Sequence, residues 1–173
     1  MIYNVAQLLK GSNGVSIDAE IDGDVVLDSE EFRIVEPIEG MVRLQRVTNG
    51  IFVEGEFDVT VEMTCARCLE PFEETFTCQL RELFKPTIDI LTGAIVHEQS
   101  GDGDFYIDDH HQLNITEAVR QNTILALPMQ PLCSETCKGL CPMCGKNLNN
   151  EICNCAETPS EHWNALKSLT FDN

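Results

Sequence analysis

Apolar and polar residues alternate along much of the first hundred residues, which is the pattern of strands that bury one face and expose the other. The alternation is clearest from Ile51 to Cys65, where odd positions are apolar or small and even positions from 54 to 64 are Glu, Asp or Thr. Phe72 to Leu80 forms a second such segment, and weaker candidates cover residues 15–21, 32–35 and 41–47. The pattern predicts an antiparallel meander whose edges are protected by acidic side chains.

Apolar residues take helical spacing elsewhere in the chain. Residues 2–10 predict a short helix. Asn114 is placed to cap a longer helix, with Glu117 reaching back in a capping box, Leu125 on the apolar side and Pro128 as the stop.

The remaining stretches complete the predicted architecture. Residues 86–104 are rich in Gly and Asp and predict a mobile surface loop, whereas residues 158–171 predict a C-terminal helix. Together the elements predict an α+β chain. Residues 1–130 are expected to form an antiparallel sheet domain with a packing helix, and residues 131–173 a cysteine-rich metal-binding loop followed by the last helix.

Six of the nine cysteines lie in the 25 residues from 131 to 155. Cys141 and Cys144, in the motif CPMCG, have the spacing of a zinc knuckle, in which a tight turn directs two thiolates at one ion. The pair Cys153 and Cys155 is predicted to complete the site with structural zinc. Alternative ligands are Cys133 and Cys137, and two other states remain open, an iron–sulfur cluster and cysteines that hold no metal.

A second motif, CARC at residues 65–68, lies in the turn between the two clearest strands. Three interpretations remain open. Cys65 and Cys68 are either a redox pair, half of a split metal site shared with Cys141 and Cys144, or part of a structural or recognition hairpin from which Arg67 projects.

The charge balance restricts the partners. Lys and Arg number 11 against 29 Asp and Glu, giving a net charge of −18, so the surface repels phosphate at long range and favours a basic partner. Direct contact with RNA is expected only locally, through residues such as Arg67. No apolar run is long enough to cross a membrane, and no secretion signal is seen. An odd number of cysteines at metal spacings favours a reducing cytoplasm.

Two motifs carry a specific resemblance. C-x-R-C-L-x-P-F begins at Cys65, and L-P-x-x-P-L-C-x3-C-x-G-L-C-P-x-C-G ends at Gly145. A chain with both motifs, over about residues 15–170, resembles the YceD family, the large ribosomal RNA subunit accumulation proteins. The resemblance implies a role in producing or accumulating large-subunit ribosomal RNA, with a ribosomal protein as a partner. Members that lack the knuckle can keep the hairpin, which implies that Cys65, Arg67 and Cys68 form a separate recognition element.

The sequence therefore predicts a non-enzymatic, cytoplasmic ribosome-assembly factor that binds a basic ribosomal protein, large-subunit ribosomal RNA, or both. Neither a membrane nor a small-molecule substrate is expected. No catalytic residue is predicted, because the chain has no Gly-rich phosphate loop and no defensible Ser/His/Asp constellation. The alternative is a thiol-redox or metal-handling protein that uses Cys65 and Cys68.

Overall fold

The computed structural model describes residues 1–27, 32–96 and 105–155. Within these ranges the chain forms one sheet of eight strands and two helices. The strands are β1 (Ile2–Asn4), β2 (Ser16–Gly23), β3 (Phe32–Ile34), β4 (Ile38–Val47), β5 (Gly50–Thr64), β6 (Pro71–Pro86), β7 (Phe105–Ile107) and β8 (Gln112–Asn114). The helices are α1 (Ala6–Lys10) and α2 (Thr116–Ala126).

The sheet is mixed, so the predicted antiparallel meander is only partly right. The strand order is β1-β8-β7-β6-β5-β4-β2, with β3 also paired to β5. Strands β4, β5 and β6 do form an antiparallel meander, joined by a tight turn after Val47 and by the hairpin that carries the CARC motif. Strand β7, however, runs parallel to the end of β6, because the chain crosses over between Pro86 and Phe105 before it pairs.

The long strand β5 is where the alternation predicted the structure best. Its odd residues other than Gly55 are buried in the core, including Val53, Phe57 and Val61, while Glu54 and Asp58 face solvent. Helix α2 packs against β6, and its Ala118 and Val119 are fully buried.

The sheet curls until its two ends meet. The hydroxyl of Tyr3 in β1, at one end of the strand order, donates to the carbonyl of Glu20 in β2, at the other end (2.7 Å). Gly40 and Gly55 permit close approach of β4 and β5, since a Cβ at Gly40 would lie 2.6 Å from the Cβ of Phe57. The buried side chains fill the inside of the curl.

The N-terminal ten residues depart from the predicted single helix. Ile2 to Asn4 form a strand that pairs with β8, and the helix begins only at Ala6. Strands of three residues are too short to show a period, so the sequence pattern gave no signal for β1 or β8.

The capping box predicted for α2 is wrong, and the predicted apolar face is right at Ala118 and Val119 but wrong at Leu125. Asn114 accepts the N–H of Thr116 (3.0 Å), but Ile115 is the residue at the N-cap position. Glu117 pairs with Arg120 (2.6 Å) rather than reaching back. Leu125 is 81% exposed, because the buried face of the helix runs through Val119 to Thr123, whose hydroxyl donates to the carbonyl of Val119.

Part of the predicted loop over 86–104 is described and has local order. Ile88 and Ile95 form an isolated bridge, and the carboxylate of Asp89 accepts the N–H of Thr92 (2.7 Å). Residues 97–104 and the predicted helix over 158–171 lie outside the described residues. Neither described helix has the length and apolar character needed to cross a bilayer.

Candidate metal centres

Eight of the nine cysteines assemble into two groups of four. Within each group the four sulfur atoms all lie within 4.8 Å of one another. All nine cysteines are free thiols. We call Cys65, Cys68, Cys133 and Cys137 the clasp group, and Cys141, Cys144, Cys153 and Cys155 the knuckle group. Cys78, the ninth, is buried in the sheet core away from both groups.

The clasp group joins two segments that are far apart in the sequence. Cys65 and Cys68 lie in the β5–β6 hairpin turn, where the N–H of Leu69 donates to the carbonyl of Cys65 (2.9 Å). The sulfur of Cys65 lies 3.8 Å from that of Cys137, and the sulfur of Cys68 lies 3.7 Å from that of Cys133. Three of the four cysteines are buried, and only Cys133 is exposed.

Backbone hydrogen bonds hold the two segments on either side of the clasp group. The N–H of Ala66 donates to the carbonyl of Pro131 (2.8 Å), and the N–H of Leu140 donates to the carbonyl of Arg67 (3.1 Å). Gly139 permits this contact, because its φ is +72° and an added Cβ would lie 3.1 Å from the carbonyl oxygen of Arg67. The cysteine-rich segment therefore lies directly against the hairpin.

Arg67 contributes to the same junction. Its guanidinium donates to the carbonyls of Cys137 (3.0 Å) and Glu135 (3.4 Å), although much of the side chain is exposed. Arg67 thus has a structural contact that the sequence did not indicate. Its recognition role stays a prediction.

We expect Arg67→Ala to lower the free energy of unfolding of the junction by about 1 kcal/mol, the net value of a typical hydrogen bond. Arg33→Ala is the matched control, because Arg33 makes only a loose surface ion pair with Glu62 (3.5 Å) and should change stability by less than about 0.5 kcal/mol. Denaturant unfolding and amide exchange at Leu140 measure the two effects. Equal stability of the two variants would mean that the guanidinium contacts contribute nothing.

The knuckle group is built locally. The N–H of Cys141 donates to the carbonyl of Lys146 (2.8 Å), and the N–H of Gly145 donates back to the carbonyl of Cys141 (2.9 Å). Gly145 has the positive φ, +73°, that this turn requires. The sulfur of Cys153 lies 3.3 Å from that of Cys141 and 3.5 Å from that of Cys144.

Backbone and side-chain donors favour the thiolate in each group. The N–H groups of Cys144 and Met143 lower the pKa of Cys141 to about 6. Burial acts to raise the pKa of Cys65, but N–H groups, including those of Cys133 and Cys68, outweigh it and lower the pKa to about 6. Thiolates are the form that binds metal, so both groups hold a sulfur prepared for ligation.

The pKa values of two other thiols are raised, in contrast to Cys141 and Cys65. Burial, together with neighbouring thiols, raises the pKa of Cys133 to about 12. The neighbouring sulfurs of Cys153 and Cys144 raise the pKa of Cys155 to about 12. Four thiolates cannot be ionised together within 4.8 Å unless a positive ion compensates their mutual repulsion.

The geometry of both groups suits a single ion. A tetrahedron of sulfurs at the usual zinc–sulfur distance of about 2.3 Å has edges of about 3.8 Å. The clasp distances of 3.7 and 3.8 Å match this edge, and the knuckle distances of 3.3 and 3.5 Å are slightly shorter. Four protein ligands leave no open position, which is the arrangement of structural rather than catalytic sites.

The structure brings together the four cysteines that the sequence proposed as metal ligands, Cys141, Cys144, Cys153 and Cys155. The alternative ligands, Cys133 and Cys137, lie in the other group beside Cys65 and Cys68. The split site considered from the sequence combined Cys65 and Cys68 with Cys141 and Cys144, but the structure does not bring these two pairs together. The sequence did not reveal the clasp group. The only available signal was a count: Cys133 and Cys137, which the knuckle does not use, and Cys65 and Cys68 in the hairpin together supply the four ligands of a second site.

Comparison with known proteins identifies the family of this chain. The sequence profile described as large ribosomal RNA subunit accumulation protein YceD matches residues 53–170, which include both cysteine groups. This chain belongs to the YceD family.

The relatives of this YceD-family chain are distant. Uncharacterized proteins of Mycobacterium tuberculosis and Mycobacterium bovis are each 27% identical over 128 residues, covering 74% of this chain and 59% of the relative. A protein of Zea mays named large ribosomal RNA subunit accumulation protein YCED homolog 1, chloroplastic, is 24% identical over 166 residues, covering 83% of this chain and 57% of the relative. The chain thus spans less than two thirds of the length of these relatives. No solved structure matches it.

Proposed function

We propose that this YceD-family protein is a non-enzymatic ribosome-assembly factor that supports the synthesis, processing or accumulation of large-subunit ribosomal RNA. The observation that carries the proposal is the family match over residues 53–170. The name of the Zea mays relative, which refers to accumulation of the same RNA, supports it. The reduced thiols of both cysteine groups suit the cytoplasm as its location.

The knuckle group is proposed to bind structural zinc. Cys141 and Cys144 present their sulfurs from one tight turn, and Cys153 and Cys155 approach from the returning chain. When bound, the ion would compensate the charge of the four thiolates and hold the turn closed. This role is architectural, and it presents the exposed side chains between the ligands, such as Met143, on a rigid loop.

A basic ribosomal protein is the proposed direct partner, because the solvent face of the sheet carries carboxylates that form no ion pair with any described residue. Asp22, Glu39 and Asp58 lie directly opposite one another across β2, β4 and β5, and all three are exposed. Glu20 and Glu56 lie in the adjacent row. Like charges opposite one another destabilise a sheet, and a basic partner would relieve that repulsion.

Direct RNA contact through the sheet arginines is less favoured. Arg43 pairs with Asp18 (2.8 Å), and Arg81 pairs with Glu54 (2.5 Å). In these ion pairs the carboxylates neutralise the two guanidinium charges, which are therefore less able to attract phosphate. In this proposal ribosomal RNA is reached mainly through the bound ribosomal protein.

The alternative function, thiol redox chemistry at Cys65 and Cys68, is opposed by burial. The lowered pKa of Cys65 is what a redox thiol needs. Cys65 is nevertheless 0% exposed and Cys68 is 3% exposed, so neither cysteine lies at the surface where a substrate disulfide would react. Their two additional thiol neighbours also suit a metal site better than an exchanging pair.

The test is capture of partners from cells with the tagged full chain, with proteins identified by mass spectrometry and RNA sequenced from the same crosslinked sample. We expect basic large-subunit ribosomal proteins and large-subunit RNA to be enriched. The double variant Glu39→Gln with Asp58→Asn should reduce this enrichment at least about tenfold, since it removes opposed charges at the centre of the face. Its stability should be unchanged or higher.

A charge-matched control is the double variant Asp109→Asn with Glu135→Gln. It removes two exposed carboxylates outside the acidic rows and should leave the enrichment intact. Equal loss in both double variants would show that overall charge, rather than this face, determines binding. Absence of ribosomal components from the unchanged protein would refute the proposed function.

A further inference from the structure

We propose that the clasp group, Cys65, Cys68, Cys133 and Cys137, is a second zinc site, whose ion fixes the cysteine-rich segment to the β5–β6 hairpin. The sequence suggests Cys133 and Cys137 only as alternative ligands of the knuckle ion, and Cys65 and Cys68 only as half of a site shared with Cys141 and Cys144. Neither the motifs nor the family description assigns a metal to these four cysteines together. The inference is independent of the ribosomal role, because the metal content is measured on the isolated protein.

The donor set is that of a structural site. Four sulfurs lie within 4.8 Å of one another, and the cross-segment distances, Cys65 to Cys137 and Cys68 to Cys133, match the edge of a zinc tetrahedron. Phe72 and Leu132 pack against the group and restrict water on its inner side. Oxygen-preferring cations are disfavoured by an all-thiolate set, and zinc is the commonest ion with four sulfur ligands in a tetrahedron.

The site also explains how the segment stays in place. Pro131 to Leu140 buries few apolar side chains against the hairpin, and among the described residues the polar contacts across the junction are a small number of hydrogen bonds. Each such bond contributes little net stability, because it replaces a hydrogen bond to water. A metal that links the hairpin to a segment about 70 residues later would close this long loop far more effectively.

The clasp site sets the position of the knuckle site. Cys137 of the clasp group and Cys141 of the knuckle group are separated by only three residues, one of which, Leu140, is tied to the carbonyl of Arg67. Zinc in the clasp group would therefore orient the knuckle loop relative to the sheet. Zinc in the knuckle group would order that loop internally.

Metal content of three variants tests the proposal. The unchanged chain, purified under reducing conditions, should contain two zinc ions by elemental analysis and native mass spectrometry. Cys68→Ser and Cys144→Ser should each lose one ion and keep the other. Cys78→Ala, which removes the one thiol outside both groups, is the matched control and should keep two. The second site would be overturned if Cys68→Ser still held two ions. It would also be overturned if the unchanged chain held only one ion and Cys68→Ser kept that ion.

Amide hydrogen exchange separates the roles of the two sites. In Cys68→Ser we expect exchange at Ala66 and Leu140 to accelerate at least about tenfold, while Leu148, which donates to the carbonyl of Gly139, stays protected. In Cys144→Ser we expect exchange at Leu148 to accelerate, while Ala66 and Leu140 stay protected. Unchanged protection of Ala66 and Leu140 in Cys68→Ser would show that no ion fixes the junction.

Thiol alkylation tests the unchanged chain and so remains decisive if Cys68→Ser does not fold. Cys133 is exposed, so its sulfur is open to a small alkylating reagent unless it is bound to a metal. We expect Cys133 to be protected in the purified protein and to react at least about tenfold faster after chelation. The clasp site would be refuted if Cys133 reacted equally fast before and after chelation. A disulfide between two clasp cysteines in protein purified under reducing conditions would also refute it.

Discussion

Removing metal with a strong chelator under reducing conditions is expected to unfold residues 131–155 while the sheet stays folded. Within this segment the only buried positions are Cys137, Gly139 and Cys141, so it has no apolar core of its own. Binding of structural zinc contributes about 10–16 kcal/mol in small metal-binding domains, far more than the local hydrogen bonds. The segment should therefore fold only with its ions.

Amide exchange measures this outcome residue by residue. The amides of Cys141 and Leu148 should approach the exchange rate of an unfolded chain after chelation, while those of β5 around Val59 stay protected by the sheet. Adding zinc back should restore protection. Adding magnesium should not, because magnesium prefers oxygen ligands. A segment that keeps its protection without metal would contradict both proposed sites, whereas loss of protection in β5 would show that the sheet also depends on them.

The sequence predicted the long strands well because their pattern follows directly from burial. In β5 each odd residue faces the core of the curled sheet, so the alternation from Ile51 to Cys65 locates the strand almost to the residue. The short strands carry no such information. The direction of β7 depends on the crossover after Pro86, which is a tertiary property that no local pattern encodes.

The two cysteine groups differ in the same way, because one is formed by residues close in the sequence and the other by residues far apart. Cys141 and Cys144 are three residues apart, so a turn alone explains why their sulfurs converge. The clasp group joins cysteines from a hairpin and from a segment about 70 residues later, and spacing along the chain cannot reveal that meeting. Arg67 illustrates the consequence. From the sequence it was an arginine presented on a turn, but the structure gives it two carbonyl acceptors in the distant segment.

Replacing Gly55 with alanine is expected to destabilise the whole sheet by roughly 3 kcal/mol, a large part of the total stability of a small domain. An added Cβ would lie 2.7 Å from the Cα of Val42 and would also collide with the carbonyl oxygen of Met41, and backbone atoms in a paired strand cannot move aside independently. Gly14→Ala is the control, because its Cβ would meet nothing within 4 Å and only the positive φ of +91° adds strain, about 1–2 kcal/mol. Denaturant unfolding of both variants separates collision from backbone strain. If Gly55→Ala is no less stable than Gly14→Ala, β4 and β5 do not approach as closely as described, and the curl of the sheet must have another cause.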